Sequence, residues 1–284
     1  TGKQLVPMGD MEFETLIDVY KEQIRILADA GVDLIAIETM MSLQETRAAV
    51  IAAKEVCDLP ILATLSFESD GRTLYGTDAV TAAIVLEKLG VSAVGTNCST
   101  GPVQMQQIIR DMAEHVQIPV IAKPNAGLPS LDKEGNTVYN LDEAGFVEGI
   151  GLLLEAGASF IGGCCGTSPS YIKAIYDAYH NQKTVKRYIP GKRFLTSERV
   201  TFAFGLHDRF RIVGERINPT GKKKLQAALR DGNLEMVQDF AEEQEACGAA
   251  VLDINMGMSG IDEKEMLLRS MDAVSEVSQL PLSL

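Results

Sequence analysis

The chain has 284 residues, of which 46% are hydrophobic, and a formal net charge of −13 at pH 7. This length suits one large α/β domain, or one and a half smaller ones. The acidic charge argues against nucleic-acid binding, because phosphates require a cationic surface. No run approaches the ~18 apolar residues of a membrane span, and the N-terminus lacks a signal-peptide pattern. We therefore expect a globular, cytoplasmic protein.

Short apolar runs alternate with amphipathic helical patterns through the first two thirds of the chain. Continuous apolar strands of this kind are typical of parallel sheets that are buried on both faces. The predicted helices cover residues 13–30, 43–56, 78–89, 103–115 and 141–156, and the predicted strands cover 33–37, 60–65, 92–95, 119–123 and 158–162. Short connections between them indicate right-handed strand–helix–strand units. The barrel arrangement of such units is the predicted fold.

A change of composition divides the chain. Residues 183–193 are rich in Lys and Arg and contain Pro190 and Gly191, which predicts a solvated basic linker over residues 183–208. The predicted domains are therefore residues 1–182 and 209–284. The second domain is predicted to contain strands at 211–214, 249–254 and 281–284 and helices at 233–246 and 263–277. Two and a half units cannot close a domain, so we expect the second domain to be truncated.

The five cysteines do not form the pattern of a disulfide scaffold. Cys164 and Cys165 are adjacent, which is poor geometry for a bridge between them. In a reducing compartment, grouped thiols more often bind metal or take part in chemistry. Cys57 and Cys247 fall within helical patterns and are predicted to be ordinary core or surface cysteines.

Three of the cysteines follow predicted strands. Cys98 ends one strand, and Cys164 and Cys165 end another, so a parallel barrel would bring all three to one mouth. Three thiolates form a good zinc shell, and three protein ligands leave a fourth position open for catalysis. Two alternatives stay open at this point. Cys98 and Cys164 would also serve as small buried hydrophobes, and a redox role is conceivable although it has no CxxC spacing behind it.

Two motifs carry a family resemblance. Residues 95–98 read Gly-Thr-Asn-Cys and residues 162–167 read Gly-Gly-Cys-Cys-Gly-Thr. Together they resemble the homocysteine S-methyltransferase family, over residues 1 to about 180. The resemblance implies a (β/α)8 TIM-type barrel in which Cys98, Cys164 and Cys165 bind zinc. It also implies that the homocysteine sulfur takes the open zinc position and accepts a methyl group to give methionine.

The resemblance also implies substrate-binding residues. Glu38 matches an acidic residue that binds the substrate amino acid, and a carboxylate in the barrel mouth is suited to an ammonium group. The alternative is a charge at a helix N-terminus. Asn97 and Asn125 are expected to orient substrate or zinc ligands, with a turn-forming role left open. Asn125 is also a hypothetical fourth zinc ligand before substrate arrives.

The chain departs from the family pattern at its beginning. It starts at Thr1 without an initiator Met, and this start falls just after the third strand of the family barrel. We therefore expect a piece of a longer protein that supplies about strands four to eight. The first substrate loop of the family would be missing, so this piece alone is expected to be an incomplete enzyme.

The second predicted domain has polar residues at two strand ends. Glu215 and Asn218 lie in the first motif, at residues 214–221, and Asp253 and Asn255 lie in the second, at residues 252–257. Taken alone, the first motif is explained by a turn. Together the motifs resemble the start of a second TIM-type barrel, the pterin-binding barrel of cobalamin-dependent methionine synthases and methyltetrahydrofolate:corrinoid methyltransferases. The four residues are carried over as pterin contacts.

This order of domains implies methyltetrahydrofolate as methyl donor and cobalamin as carrier. Cobalamin would be held by a separate module, in the same polypeptide or in a partner protein, because none of the three histidines lies in an Asp-x-His-x-x-Gly run. Two other hypotheses remain. One is a homocysteine methyltransferase that uses betaine, S-methylmethionine or another corrinoid protein as donor, and the other is a structural zinc-binding module.

Overall fold

The computed structural model describes residues 1–6 and 8–284. It divides into two compact units, Thr1–Pro190 and Gly191–Leu284. Each unit has its own hydrophobic core.

The first unit alternates strands and helices along the chain. Its elements are α1 (Phe13–Asp29), β1 (Ile35–Met40), α2 (Leu43–Val56), β2 (Ile61–Leu65), α3 (Ala79–Leu89), β3 (Ala93–Asn97), α4 (Pro102–His115), β4 (Val120–Lys123), β5 (Pro129–Leu131), β6 (Thr137–Tyr139), α5 (Glu143–Ala156), β7 (Phe160–Ile161) and α6 (Pro169–Tyr179). Five strands form one parallel sheet in the order β1-β2-β3-β4-β7. The predicted α/β fold with a parallel sheet is confirmed.

The helices follow the same order as the strands. Consecutive helices contact each other from α1 through to α6. In a doubly wound sheet the strand order would reverse at a switch point and helices would cover both faces. Here the strand order has no reversal, and the row of helices runs alongside it. The carboxyl ends of all five strands therefore lie along one edge of the sheet. The candidate site residues are close to these strand ends.

Large apolar side chains fill the space between the sheet and the helices. Met105, Ile109, Phe146, Ile150 and Leu153 are among the largest fully buried side chains. The packing of α4 on α5 depends on Gly149, because a Cβ atom there would lie 2.3 Å from Cγ of Pro102. Close packing of this kind makes the core sensitive to any change of side-chain volume.

Local signals determine where several helices begin and end. The side chains of Ser42, Asp78 and Asp142 accept hydrogen bonds from backbone N–H groups in the first turns of α2, α3 and α5. Gly90 and Gly157 end α3 and α5 in the left-handed conformation, with φ of 92° and 115°. A short polar side chain at the start and a glycine at the end satisfy backbone groups that have no partner within the helix.

The sequence missed two elements of the first unit. The five predicted strands and five predicted helices are present with shifted ends, but the β5–β6 hairpin and helix α6 were not predicted. The hairpin lies in the connection after β4, and its strands are three residues each. Strands this short do not show a recognisable hydrophobic period.

The second unit has a three-stranded parallel sheet and a separate hairpin. Its elements are β8 (Arg193–Thr196), β9 (Thr201–Phe204), β10 (Val213–Ile217), α7 (Lys223–Arg230), α8 (Glu235–Ala246), β11 (Val251–Ile254), α9 (Glu263–Val277) and β12 (Leu282–Ser283). The sheet order is β10-β11-β12, and β8 pairs antiparallel with β9. The hairpin lies within the predicted basic linker at residues 183–208, and Phe202 in it is buried. Within the described part of the chain, no helix is long and apolar enough to cross a membrane.

A matched pair of isoleucines tests the assigned core. Ile150 in α5 is fully buried, whereas Ile26 in α1 is 65% exposed. We expect Ile150→Ala to lower the free energy of unfolding by roughly 2–5 kcal/mol, because it removes buried methylenes and leaves a cavity. The same substitution at Ile26 is expected to change it by no more than about 0.5 kcal/mol. Urea denaturation followed by circular dichroism measures both, and equal losses would contradict the assigned packing.

Candidate metal and substrate site

The structure brings three predicted cysteines together. The sulfur atoms of Cys98, Cys164 and Cys165 all lie within 4.8 Å of one another, and those of Cys98 and Cys165 are 3.7 Å apart. Tetrahedral zinc with Zn–S bonds of about 2.3 Å requires sulfurs roughly 3.8 Å apart. Across the described residues, no other group of three or more His, Cys, Asp or Glu side chains has metal-binding spacing. The thiol cluster therefore fits a zinc ion.

The backbone is strained next to this cluster. Among the described residues other than glycine, only Thr39, Cys98 and Ser99 have positive φ, at 62°, 63° and 58°. Such conformations cost of order 1–3 kcal/mol each and persist only when surrounding contacts enforce them. Thr39 lies near the end of β1, and Cys98 and Ser99 follow β3 directly. The strain is thus concentrated at the strand ends that carry the candidate site.

Asn97 supplies the contacts that hold this conformation. Its side chain is fully buried. Oδ1 accepts hydrogen bonds from the backbone N–H of Thr39 at 2.9 Å and from the hydroxyl of Thr64 at 2.6 Å. Nδ2 donates to Oγ1 of Thr39 at 2.7 Å and lies 3.7 Å from the sulfur of Cys164. One amide therefore links the ends of β1 and β2 to a thiol of the cluster.

Asn125 connects the loop after β4 to the loop that carries the paired cysteines. Its side chain is 3% exposed, and Oδ1 accepts a hydrogen bond from the backbone N–H of Cys165 at 3.1 Å. The backbone N–H of Asn125 donates to the carbonyl of Thr100 at 3.0 Å, and that of Ala126 donates to the carbonyl of Cys165 at 2.9 Å. Asn125 therefore orients the backbone around Cys165.

Tyr139 is a site residue that the sequence did not indicate. It belongs to β6, and its hydroxyl donates a hydrogen bond to Cys165. Its ring lies against Gly166, where an added Cβ atom would come within 2.4 Å of the ring and where φ is +80°. Only glycine accommodates both constraints at once. The missed hairpin thus places an aromatic side chain beside the thiols.

Two thiols of the cluster, those of Cys98 and Cys165, differ in acidity. Burial raises the pKa of the Cys98 thiol to about 11. The hydrogen bond from Cys98 lowers the pKa of Cys165. Cys165 therefore becomes a thiolate more readily than Cys98, which a nearby cation would help to lose its proton. Three thiolates in one place require such a cation to offset their mutual repulsion.

Glu38 and Lys123 form an ion pair on the sheet face that lines a cavity. Glu38 is on β1, and Nζ of Lys123 at the end of β4 contacts its Oε2. The cavity has a volume of about 140 Å³, and Ala36, Leu62 and Thr64 are among its other lining residues. The predicted substrate-binding carboxylate is thus accessible and already has a cationic partner. The sequence did not indicate that partner.

The second unit carries its four predicted residues at one sheet edge. Glu215 is in the middle of β10 and Asn218 follows that strand, whereas Asp253 is in β11 and Asn255 follows it. Nδ2 of Asn218 donates to Oε1 of Glu215 at 2.5 Å, and the hydroxyl of Ser283 donates to Oδ1 of Asp253 at 2.7 Å. Oδ1 of Asn255 accepts a backbone N–H from two residues further along, at 2.8 Å. Oδ1 of Asn218 likewise accepts the backbone N–H of Thr220 at 2.9 Å, so the turn interpretation of the first motif holds locally. The carboxylates of Glu215 and Asp253 keep acceptor positions.

The two remaining cysteines lie outside the cluster. Cys57 follows α2 and is half-buried, whereas Cys247 follows α8 and is exposed. Neither belongs to the group of residues with metal-binding spacing. They serve as internal controls for experiments on the three clustered thiols.

Substitution of Asn97 tests its positioning role. Asn97→Ala removes the hydrogen bonds that hold Thr39 and leaves the sulfur of Cys164 without its amide neighbour. We expect affinity for zinc to fall roughly 10- to 100-fold, as for other residues that orient metal ligands. Competition with a chromophoric chelator measures this affinity. Asn181→Ala, at an exposed asparagine beyond α6, is the control and is expected to bind zinc normally. Unchanged affinity in Asn97→Ala would refute the role.

Known proteins resemble this chain in sequence and in structure. A family model described as homocysteine S-methyltransferase matches residues 1–179. Methionine synthases of Mycobacterium tuberculosis and Mycobacterium leprae are each 31% identical to it over its whole length. The chain spans 24% of the length of either relative.

The crystal structure of the metallated form of the homocysteine methyltransferase MmuM from Escherichia coli is 22% identical, with a TM-score of 0.50. That alignment covers 60% of this chain and 53% of MmuM, and it concerns the fold. The match over residues 1–179 shows that the chain belongs to the homocysteine S-methyltransferase family.

Proposed function

We propose that this chain activates the thiol of homocysteine for methylation to methionine. The observation that carries the proposal is the convergence of Cys98, Cys164 and Cys165 at sulfur spacings that fit one zinc ion. Zinc bound by three thiolates has an open position, where it would hold the substrate sulfur as a reactive thiolate at neutral pH. Membership of the family gives the reaction class, and the cluster supplies the chemistry for it.

The other site residues position the reactants. Glu38 binds the ammonium group of the substrate, because its carboxylate is accessible from the cavity. Asn97 and Asn125 act through their neighbours: the first holds the strained turn at Thr39, and the second holds the backbone of Cys165. Both asparagines are buried, so orienting the zinc ligands suits them better than direct contact with substrate.

We further propose that the five-stranded sheet corresponds to about strands four to eight of a (β/α)8 barrel. The sequential strand order and the single row of helices support this interpretation. In this scheme residues 1–182 form the homocysteine domain, residues 183–208 connect it to the next, and residues 209–284 begin a pterin-binding barrel. In such barrels the active site lies at the carboxyl ends of the strands, which is where the thiols lie.

The second domain is proposed to bind the methyl donor, methyltetrahydrofolate. Glu215, Asn218, Asp253 and Asn255 lie at one sheet edge, where carboxylates are suited to the N–H groups of a pteridine. The methyl group would travel through cobalamin held by a separate module. The relatives named methionine synthases support this order of domains. Betaine, S-methylmethionine or another corrinoid protein is the alternative donor, and methyltetrahydrofolate binding distinguishes them.

Serine substitutions test the thiol site. We expect Cys98→Ser, Cys164→Ser and Cys165→Ser each to lose most of the zinc that the wild-type chain binds, because each removes one of three thiolate ligands. Cys57→Ser and Cys247→Ser are matched controls that should retain it. In the zinc-loaded wild type, homocysteine is expected to slow alkylation of the clustered thiols, as measured by mass spectrometry. Zinc bound without any effect of homocysteine would favour a structural metal site.

A single carboxylate tests the donor assignment in the intact polypeptide. Asp253→Asn should weaken methyltetrahydrofolate binding roughly 10- to 100-fold, because it replaces a charged hydrogen-bond acceptor. Isothermal titration calorimetry measures the affinity, and Asp272→Asn on an exposed part of α9 is the control. Zinc content should not change in either variant. Normal folate binding by Asp253→Asn would remove this residue from the pterin site.

A further inference from the structure

Lys123 occupies a place in the first unit that the thiol chemistry leaves unexplained. It is on β4, whereas its ion-pair partner Glu38 is on β1, and the strands β2 and β3 lie between them. Three strand spacings amount to roughly 14 Å in a flat sheet. The contact therefore requires a curved sheet, with both side chains leaning across its concave face.

The sheet leaves room for this contact. Gly95 on β3 pairs in register with Thr64 on β2 and with Ile121 on β4. A Cβ atom at Gly95 would come within 2.0 Å of the carbonyl oxygen of Ile121, so this position must lack a side chain. Gly95 therefore adds no side chain between Thr64 and Ile121, which both line the cavity of the ion pair.

Lys123 is also tied to the thiol site through its backbone. Its carbonyl accepts a hydrogen bond from the N–H of Cys98 at 3.1 Å, and it pairs in register with Asn97. Its ammonium lines the same cavity as Glu38. The cavity therefore has one cationic and one anionic group in its lining, next to the strand that leads to the first thiol.

The charges of this pair match those of an amino acid zwitterion. The side chains of Lys123 and Glu38 are 28% and 44% exposed, and a partly exposed pair contributes little stability. It can therefore open at small cost. A ligand with an ammonium and a carboxylate on one carbon can enter between the two side chains, so that each charge meets its opposite and no charge is left unpaired.

We propose that Lys123 binds the α-carboxylate of the substrate while Glu38 binds its α-ammonium. The proposal rests on the function proposed above and names Lys123 as a residue that determines specificity for amino acid thiols. In the free site Lys123 neutralises Glu38. On binding, the substrate ammonium replaces the lysine at Glu38, and the lysine turns to the substrate carboxylate.

The binding of three small thiol ligands distinguishes this role of Lys123 from that of a simple counter-ion to Glu38. Homocysteine has both charged groups, 3-aminopropane-1-thiol lacks the carboxylate, and 4-sulfanylbutanoate lacks the amine. In the zinc-loaded full-length protein, we expect Lys123→Met to weaken the binding of homocysteine and of 4-sulfanylbutanoate roughly 10- to 100-fold. Binding of the aminothiol is expected to be unchanged or tighter, because the lysine no longer competes for Glu38.

Control variants complete the experiment. Glu38→Gln should show the opposite selectivity. It should bind homocysteine and the aminothiol more weakly, and its affinity for 4-sulfanylbutanoate should change little. Lys123→Arg should retain carboxylate binding, because it keeps the charge, and Lys173→Met, on the exposed side of α6, should behave as wild type. Protection of the thiols against alkylation gives each dissociation constant, and zinc content confirms an intact site.

The outcomes distinguish the two proposals. Two results would overturn the role of Lys123 and leave the zinc-thiol function standing. One is an equal loss of affinity for all three ligands in Lys123→Met, and the other is an unchanged affinity for homocysteine. If the zinc-loaded wild-type protein bound no homocysteine, the proposed function itself would fail. A selective loss of affinity for the carboxylate-bearing ligands in Lys123→Met supports both proposals.

Discussion

The buried amide of Asn97 is the interaction on which the site depends. It joins Thr39 on β1, Thr64 on β2 and the sulfur of Cys164, which follows β7. Thr39 is a β-branched residue with φ of 62°, a conformation that is unfavourable without such a partner. Because the amide is fully buried, the loss of its hydrogen bonds would leave unsatisfied polar groups. The geometry of the thiols therefore depends on strands that carry no cysteine.

The first unit has two groups of ionisable side chains on the same sheet, the thiol cluster and the Glu38–Lys123 ion pair. The thiols form a cluster in which burial opposes ionisation of Cys98, so the full ligand set needs a cation to become anionic. Glu38 and Lys123, by contrast, form a neutral pair on an accessible face. In the proposed function, a substrate with a thiol at one end and a zwitterion at the other would meet a suitable partner at each position. Gly95, between them on β3, must lack a side chain, because a Cβ atom there would lie 2.0 Å from the carbonyl oxygen of Ile121.

Much of the fold could be predicted because local patterns and tertiary structure agree in this chain. The apolar strands, the amphipathic helices and the glycines at 90 and 157 each point to the same strand–helix repeat. The paired motifs around Cys98 and Cys164 were sufficient to suggest one metal centre. The β5–β6 and β8–β9 hairpins were missed because strands of three or four residues carry little periodicity of their own. Helix α6 was also missed.

The sequence by itself determined the order of strands and helices, the identity of the three thiols and the family, since these follow from local periodicity and from short motifs. Only the tertiary structure decided which residues support them. Tyr139 beside Cys165, Asn97 bound to Thr39, and Lys123 paired with Glu38 each join residues that are far apart in the chain. Such contacts arise from the parallel order and curvature of the sheet, which bring the carboxyl ends of separate strands to one edge. No local pattern encodes that proximity.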